Sequence, residues 1–483
     1  MDPFLKLPSI VQSEILVHLQ SEISIKMVIQ ASPSMLWHFV AYKNSVLRRI
    51  MNDILHEDTS GVLLRDAHGI IYISDKASAK NYLEMKMWMT MELPDTLEQD
   101  QLEKLWRLFS RMITFIEDYV SKATSAYLPR AYLGIPDILN GSGSYFKGQR
   151  LDTEAVRFMS LTRAERHRFL SAFAKYELFC KIYYPRKRFP EEWLNIEKQL
   201  LAISKDSDLM MMNSVHEYYQ GVYGALFAHC QESWLPDIPE TPKKEQSSDA
   251  NIRKSSRYPL LFPDNTYFNA EVYEADMEIY GRYLAHELPR FGLDCLSQIL
   301  SFMNEAAGRE HILKAWLKTL SFRFGMPWTC LLPQNPVKRE LRHYNRLRDN
   351  CDELEDGEIR EGHSGNSFVN LTSGKHQLPI YRQRARALFD DNRLYPKHGN
   401  HFPTLDELAG TIKELKKTLA PNVERSRRRS QKWQDYWASR ILEPPDRQSS
   451  EGEVEASING HLGPCVRFFG APNDKLPNNL TGT

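Results

Sequence analysis

Residues 7–37 read LPSIVQSEILVHLQSEISIKMVIQASPSMLW, from Leu7 to Trp37. Leu7-Pro8 opens a helix, because proline's fixed φ and missing N–H suit the first helical position. Val11, Ile15 and Leu19 fall four apart, and Ile10 and Leu16 widen them into one broad apolar face. Glu22 and Ser24 lead into a second short helix bearing Ile25, Val28 and Ile29. At Ala31-Ser32-Pro33 the serine is a cap and the proline a first helical residue for a third helix. Three short helices in some thirty residues carry more apolar side chains than they can hide among themselves, so the surplus must be buried against something else.

The same string resembles the F-box family: Leu7-Pro8, then Ile15-Leu16-x-x-Leu19, then a short helix from Ile25 to Ile29, then a third helix after Ala31-Ser32-Pro33, an ending similar to that of fungal members. The resemblance covers roughly the first fifty residues of 483. It departs from the family pattern at Ile10, where many members carry Glu, and at SPSMLWHF, which replaces the usual basic or Cys-x-x-Trp region. F-boxes dock on the Skp adaptor of cullin-based ubiquitin ligases, and the remainder of such chains selects the protein to be modified. Carried over residue by residue, the resemblance implies adaptor contacts at Leu7, Pro8, Ile15, Leu16 and Leu19, with Ile25 and Val28 secondary.

Composition bounds the other classes. The chain is long enough for one large or two to three ordinary domains, and 42% of it is hydrophobic, so core material is ample. Lys plus Arg and Asp plus Glu number 62 each, so no net field draws nucleic acid or an anionic membrane. Six cysteines (180, 230, 295, 330, 351 and 465) show no zinc-type spacing and read as reduced thiols. Met1-Asp2-Pro3 begins no leader pattern, and no apolar run approaches a membrane span. The expectation is a soluble intracellular protein, cytoplasmic, nuclear or both, in which the sequons at Asn140, Asn370 and Asn479 arise by chance.

Along the chain, the third helix is expected to run on through Leu36, Val40, Leu47, Ile50, Met51 and Ile54, fixing the first fifty residues to the rest of the protein. VLLRDAHGIIYI at 62–73 reads as a β-hairpin around Asp66-Ala67-His68-Gly69. Thr96 with Gln99 and Thr162 with Glu165 are capping boxes, each followed by large apolar residues at helical spacing. Further helices are expected at 190–203, 208–233, 270–287, 291–306 and 309–324, and another from Thr404 to before Pro421. Residues 127–150 form an ordered loop anchored by Tyr132 and Phe146. Residues 236–257, rich in Pro, Lys and Ser, read as a flexible insertion between two helical halves at 51–235 and 258–442. Residues 348–378 read as a mobile acidic then Gly-Ser loop, and 443–483 as a mostly disordered tail. No period of the leucine-rich or propeller kind is visible.

No catalytic constellation emerges. Asn140–Gly148 lacks the Gly-Lys-Ser/Thr of a phosphate loop, and Gly362-His363-Ser364-Gly365-Asn366 lacks the final glycine and preceding strand of a nucleophile elbow. His216-Glu217 and His286-Glu287 have no second histidine four residues on to complete a zinc pair. The basic run at 424–432, opposite Trp433 and Trp437, is either a solvated helix face or an import or phosphate-contacting patch.

The fold expected is therefore mainly α: a three-helix F-box at 1–50 fused to a large irregular helical domain, with a small hairpin near 62–73. The function implied is a substrate-recruiting ligase subunit that binds rather than catalyses. It needs no cofactor or metal, and its partners are the Skp adaptor, through it a cullin, and an unidentified protein target. The alternative is a helical interaction or scaffold protein whose first helices only cap its own core; nucleic acid and membrane are not expected partners.

Overall fold

The computed structural model describes residues 2–73, 78, 82, 99–125, 127–141, 143–183, 206–235, 268–277, 284–305, 308–323, 379–390 and 439. The chain is mainly helical. It opens with α1 (Ser9–Leu19), α2 (Glu22–Ala31) and α3 (Pro33–Ile54). Ser21 caps α2 by accepting from Ser24 N, and Ser32 caps α3 by accepting from Met35 N, with Pro33 in the first turn. α3 continues to Ile54 through non-helical dihedrals at Tyr42, as the sequence leads one to expect apart from that kink.

The helix α4 (Val62–Tyr72) occupies the stretch expected to be a hairpin. Leu63, Ala67 and Ile70 are buried at helical spacing, and this period overrides the turn chemistry suggested by Asp66 and Gly69. Gly61 enters the helix in a left-handed conformation, and Asp58 Oδ2 accepts from Leu64 N at 2.9 Å. Gly69 is no turn residue: a Cβ there would lie 2.7 Å from the Tyr82 ring and 2.8 Å from Leu178. It is a point of close approach.

The core lies among three long helices, α5 (Gln99–Thr124), α7 (Arg163–Tyr183) and α8 (Asp206–His229), with the short α6 (Leu128–Leu133) between the first two in sequence. The capping box at α7 forms as expected: Thr162 N donates to Glu165 Oε2 at 2.9 Å, and Glu165 N donates to Thr162 Oγ1 at 3.1 Å. Aromatic rings fill the space between these helices. Tyr119 stacks on Tyr218 with centroids 4.6 Å apart, and Phe169, Phe173 and Tyr219 surround them. A buried tyrosine must satisfy its hydroxyl. Tyr218 donates to Asp118 at 2.8 Å, Tyr219 donates to Glu177 at 2.9 Å, and Tyr176 shares a 2.8 Å bond with His216.

The small sheet of the chain lies not at 62–73 but at 135–150. β1 (Ile135–Pro136), β2 (Ser144–Phe146) and β3 (Gln149–Arg150) pair antiparallel in that order, Ile135 opposite Tyr145 and Phe146 opposite Gln149. Lys147 and Gly148 both have positive φ, which suits a two-residue hairpin turn. Tyr132 and Phe146 are buried as the anchors of this segment. Ser144 ties the sheet to α5 by donating to Asp118 at 2.7 Å, beside a sealed ion pair between Lys122 and Asp118 at 2.6 Å.

α9 (Ala270–Asp276), α10 (Leu284–Glu287), α11 (Gly292–Glu305) and α12 (Glu310–Arg323) follow. Residues 379–390 then return to the core. Gln383 accepts from Phe268 N and donates to Phe268 O and Glu217, and Tyr132 donates to the Gln383 carbonyl at 3.0 Å. Arg384 donates to Ala123 O at 3.0 Å, and Arg168 donates to Leu388 O at 2.9 Å. The expected helices at 190–203 and 404–421, the Thr96 cap, the insertion at 236–257, the loop at 348–378, the basic run at 424–432 and the tail at 443–483 lie outside the described residues.

Candidate docking surface

The first three helices are joined to the body by specific contacts. Gln20 turns the chain between α1 and α2 at a positive φ of 52°, unusual for a residue with a Cβ. Its carbonyl accepts from Trp106 Nε1 on α5 at 3.2 Å, and its side chain donates to Asp53 at the end of α3. Glu22 N donates to Ser110 Oγ at 3.0 Å, and Lys43 pairs with Glu103 at 2.6 Å. Phe39 meets the Trp106 ring at 6.5 Å. One side of α2 and α3 is thus occupied by α5.

Elsewhere on this segment apolar side chains stand exposed. Among the described residues, eleven large apolar side chains are exposed, and eight of them lie between positions 5 and 42: Leu5, Ile10, Val11, Met27, Leu36, Trp37, Val40 and Tyr42. Trp37 is 76% exposed, and Leu5 and Ile10 are each 67% exposed. Scattered exposed apolar residues are ordinary, whereas these are concentrated in one short segment. Lys6 and Lys26 are exposed in the same segment.

The residues expected as contacts divide between the two sides. Pro8 is exposed, while Leu7, Ile15, Leu19 and Val28 are half-buried. Leu16 at 0% exposure and Ile25 at 1% are sealed inside the protein's own core. Ile15, Leu19 and Val28 also pack against that core. The most exposed members, Trp37, Ile10 and Leu5, are not among the contacts that the resemblance implies. Helical spacing alone does not distinguish them, because both faces of these helices are apolar.

No family model, curated protein or solved structure matches the chain.

Electrostatics inside the segment are quiet. His38 shares a 2.8 Å bond with Ser13 Oγ, and burial holds its pKa below the ordinary value, so it is neutral near pH 7. Glu14 pairs with Arg49 across α1 and α3. The side chains of the two His-Glu pairs of the sequence are each engaged by other groups. His216 bonds Tyr176, Glu217 accepts from Gln383, His286 pairs with Glu271 at 2.7 Å, and Glu287 pairs with Arg290 at 2.9 Å. Lys147 of the glycine-rich turn donates to the carbonyls of Gln231 and Ser233, an internal tether.

Two buried acids have strongly perturbed pKa values. Burial lifts the Glu177 carboxyl to about 7, although it accepts from Leu293 N at the start of α11 and from Tyr219. Burial likewise lifts Asp66 on α4 to about 7. Glu177 joins α7, α8 and α11. Among the described residues, no three His, Cys, Asp or Glu side chains group as a metal site, and no helix is long and apolar enough to cross a membrane.

Proposed function

We propose that residues 2–42 are an F-box-type docking face for the Skp adaptor of a cullin ubiquitin ligase, and that the helical body selects the protein to be modified. The observation that carries this is the concentration of exposed apolar side chains in a segment that Gln20 and Glu22 tie to α5. Its mechanism is binding. The adaptor covers Trp37, Ile10 and their neighbours, and a target held by the body is presented to the conjugating enzyme at high effective concentration. The exposed Lys6 and Lys26 of this segment favour a partner that offers acidic groups beside its apolar surface.

A cap that serves only its own core is the competing reading, favoured by the sealing of Leu16 and Ile25. It gives no reason for the exposure of the eight other side chains. The deciding experiment is co-purification of the full chain with a purified Skp adaptor, comparing the parent with Ile10→Ala/Trp37→Ala. Loss of capture with an unchanged far-UV circular dichroism spectrum is the expected result. Equal capture of both proteins, or capture of neither, sinks the proposal.

A further inference from the structure

Residues 2–7 are folded into a hook. Asp2 Oδ2 accepts from Ser32 Oγ at 2.7 Å and from Ser34 N at 2.9 Å, at the start of α3, while Asp2 Oδ1 accepts from Phe4 N at 2.9 Å. Gln12, buried on α1, donates through Nε2 to Phe4 O at 2.9 Å and, at 3.3 Å, to Leu7 O and Ser34 Oγ. Phe4 packs against the core. The first residues of a folded unit usually fray unless tied down, and here α1 and α3 are both used to tie them. Yet Leu5, at the centre of the hook, stands 67% exposed.

Holding an apolar side chain out in water on an ordered segment makes physical sense when something else covers it. We infer that residues 2–6 are a built part of the docking face, with Leu5 a contact and Asp2 the positioning residue that latches it; this rests on the docking function proposed above. The occupant is the same partner, an adaptor presenting an apolar groove with an acidic border. The signs are Lys6 next to Leu5 and the further exposed lysine, Lys26, on α2. The latch fixes Leu5 before binding, so less conformational freedom is lost on docking. Ser34 is about one helical turn before Trp37, so the residue that holds Asp2 belongs to the same end of α3 that carries the most exposed apolar side chain.

The test uses the full chain and purified Skp adaptor, with hydrogen–deuterium exchange read in parallel on the free protein. Asp2→Ala should speed exchange at residues 4–7 and 34–36 and weaken adaptor binding about tenfold, while Asp2→Asn, which keeps an acceptor oxygen, should recover part of both. Leu5→Ala should weaken binding by about tenfold with exchange unchanged. Unchanged exchange in Asp2→Ala overturns the latch. Normal binding by Leu5→Ala, alongside lost binding by Trp37→Ala, overturns the contact while leaving the docking function standing. If the parent chain itself fails to bind, the docking function is overturned and Leu5's role falls with it, and the exchange measurement still scores the latch.

Discussion

Replacing Trp37 by alanine separates a docking face from an internal cap. The indole is 76% exposed, so its removal costs the folded chain little. A tryptophan side chain offers about 200 Å² for burial, and three-quarters of that at about 25 cal/mol per Å² is roughly 4 kcal/mol. Truncation losses at the centres of interfaces run at about 2–4 kcal/mol, so the expected loss in affinity is about a hundredfold or slightly more. Leu16→Ala is the matched control. Leu16 is fully buried, and such a truncation costs about 2–5 kcal/mol of stability through lost transfer energy and a cavity. Titration calorimetry against the purified adaptor, with thermal melts of each variant, gives both readouts. Trp37→Ala should melt with the parent and bind poorly; Leu16→Ala should melt early. A Trp37→Ala protein that binds like the parent, or melts well below it, rules out an exposed docking tryptophan.

Three further outcomes are expected from the packing. Gly69→Ala must push the Tyr82 ring and Leu178 aside and should lower stability by about 1–3 kcal/mol, measured by urea unfolding. Glu177, with a folded pKa of about 7 against an ordinary 4.5, binds its proton more tightly when folded, so its contribution is complete below about pH 4.5 and is lost as pH rises to about 7. Glu177→Gln should therefore flatten the fall in melting temperature between those limits, and an unaltered profile would count against the assignment. Lys122→Ala leaves Asp118 buried without its cation and should cost about 3–5 kcal/mol, more than Lys122→Met/Asp118→Asn, as read from guanidinium unfolding.

The helices were legible where one face only is apolar and a cap marks the start. Thr162 with Glu165, Ser32 with Pro33, and the run through Ile54 all read correctly because the local chemistry and the buried stripe agree. At 62–73 two signals conflicted: Asp66 and Gly69 spoke for a turn, and Leu63, Ala67 and Ile70 for a helix. Packing decided, since Gly69 is needed small by Tyr82 and Leu178, neither of which is near it in sequence. The small sheet is hard to read from sequence because its strands are two or three residues long. The return of 379–390 was equally hidden. Its Gln383 and Arg384 look like surface residues until Phe268, Glu217 and Ala123 are brought to them. In the first forty-two residues the abundance of apolar side chains was readable, but not which of them point outward. That choice is made by α5, through Trp106 and Ser110, about seventy to ninety positions downstream of the helices they fix.

The positive φ of Gln20 bears on how the chain is built. Because its carbonyl is pinned to Trp106 and its amide to Asp53, the corner between the first two helices borrows its shape from elsewhere in the chain. The leading helices are therefore no transplantable cassette. Excised at residue 54 they would bare Phe39 and lose the partner of that corner. Left in place, they share hydrogen bonds and an ion pair with α5, so their corner and the body are specified together.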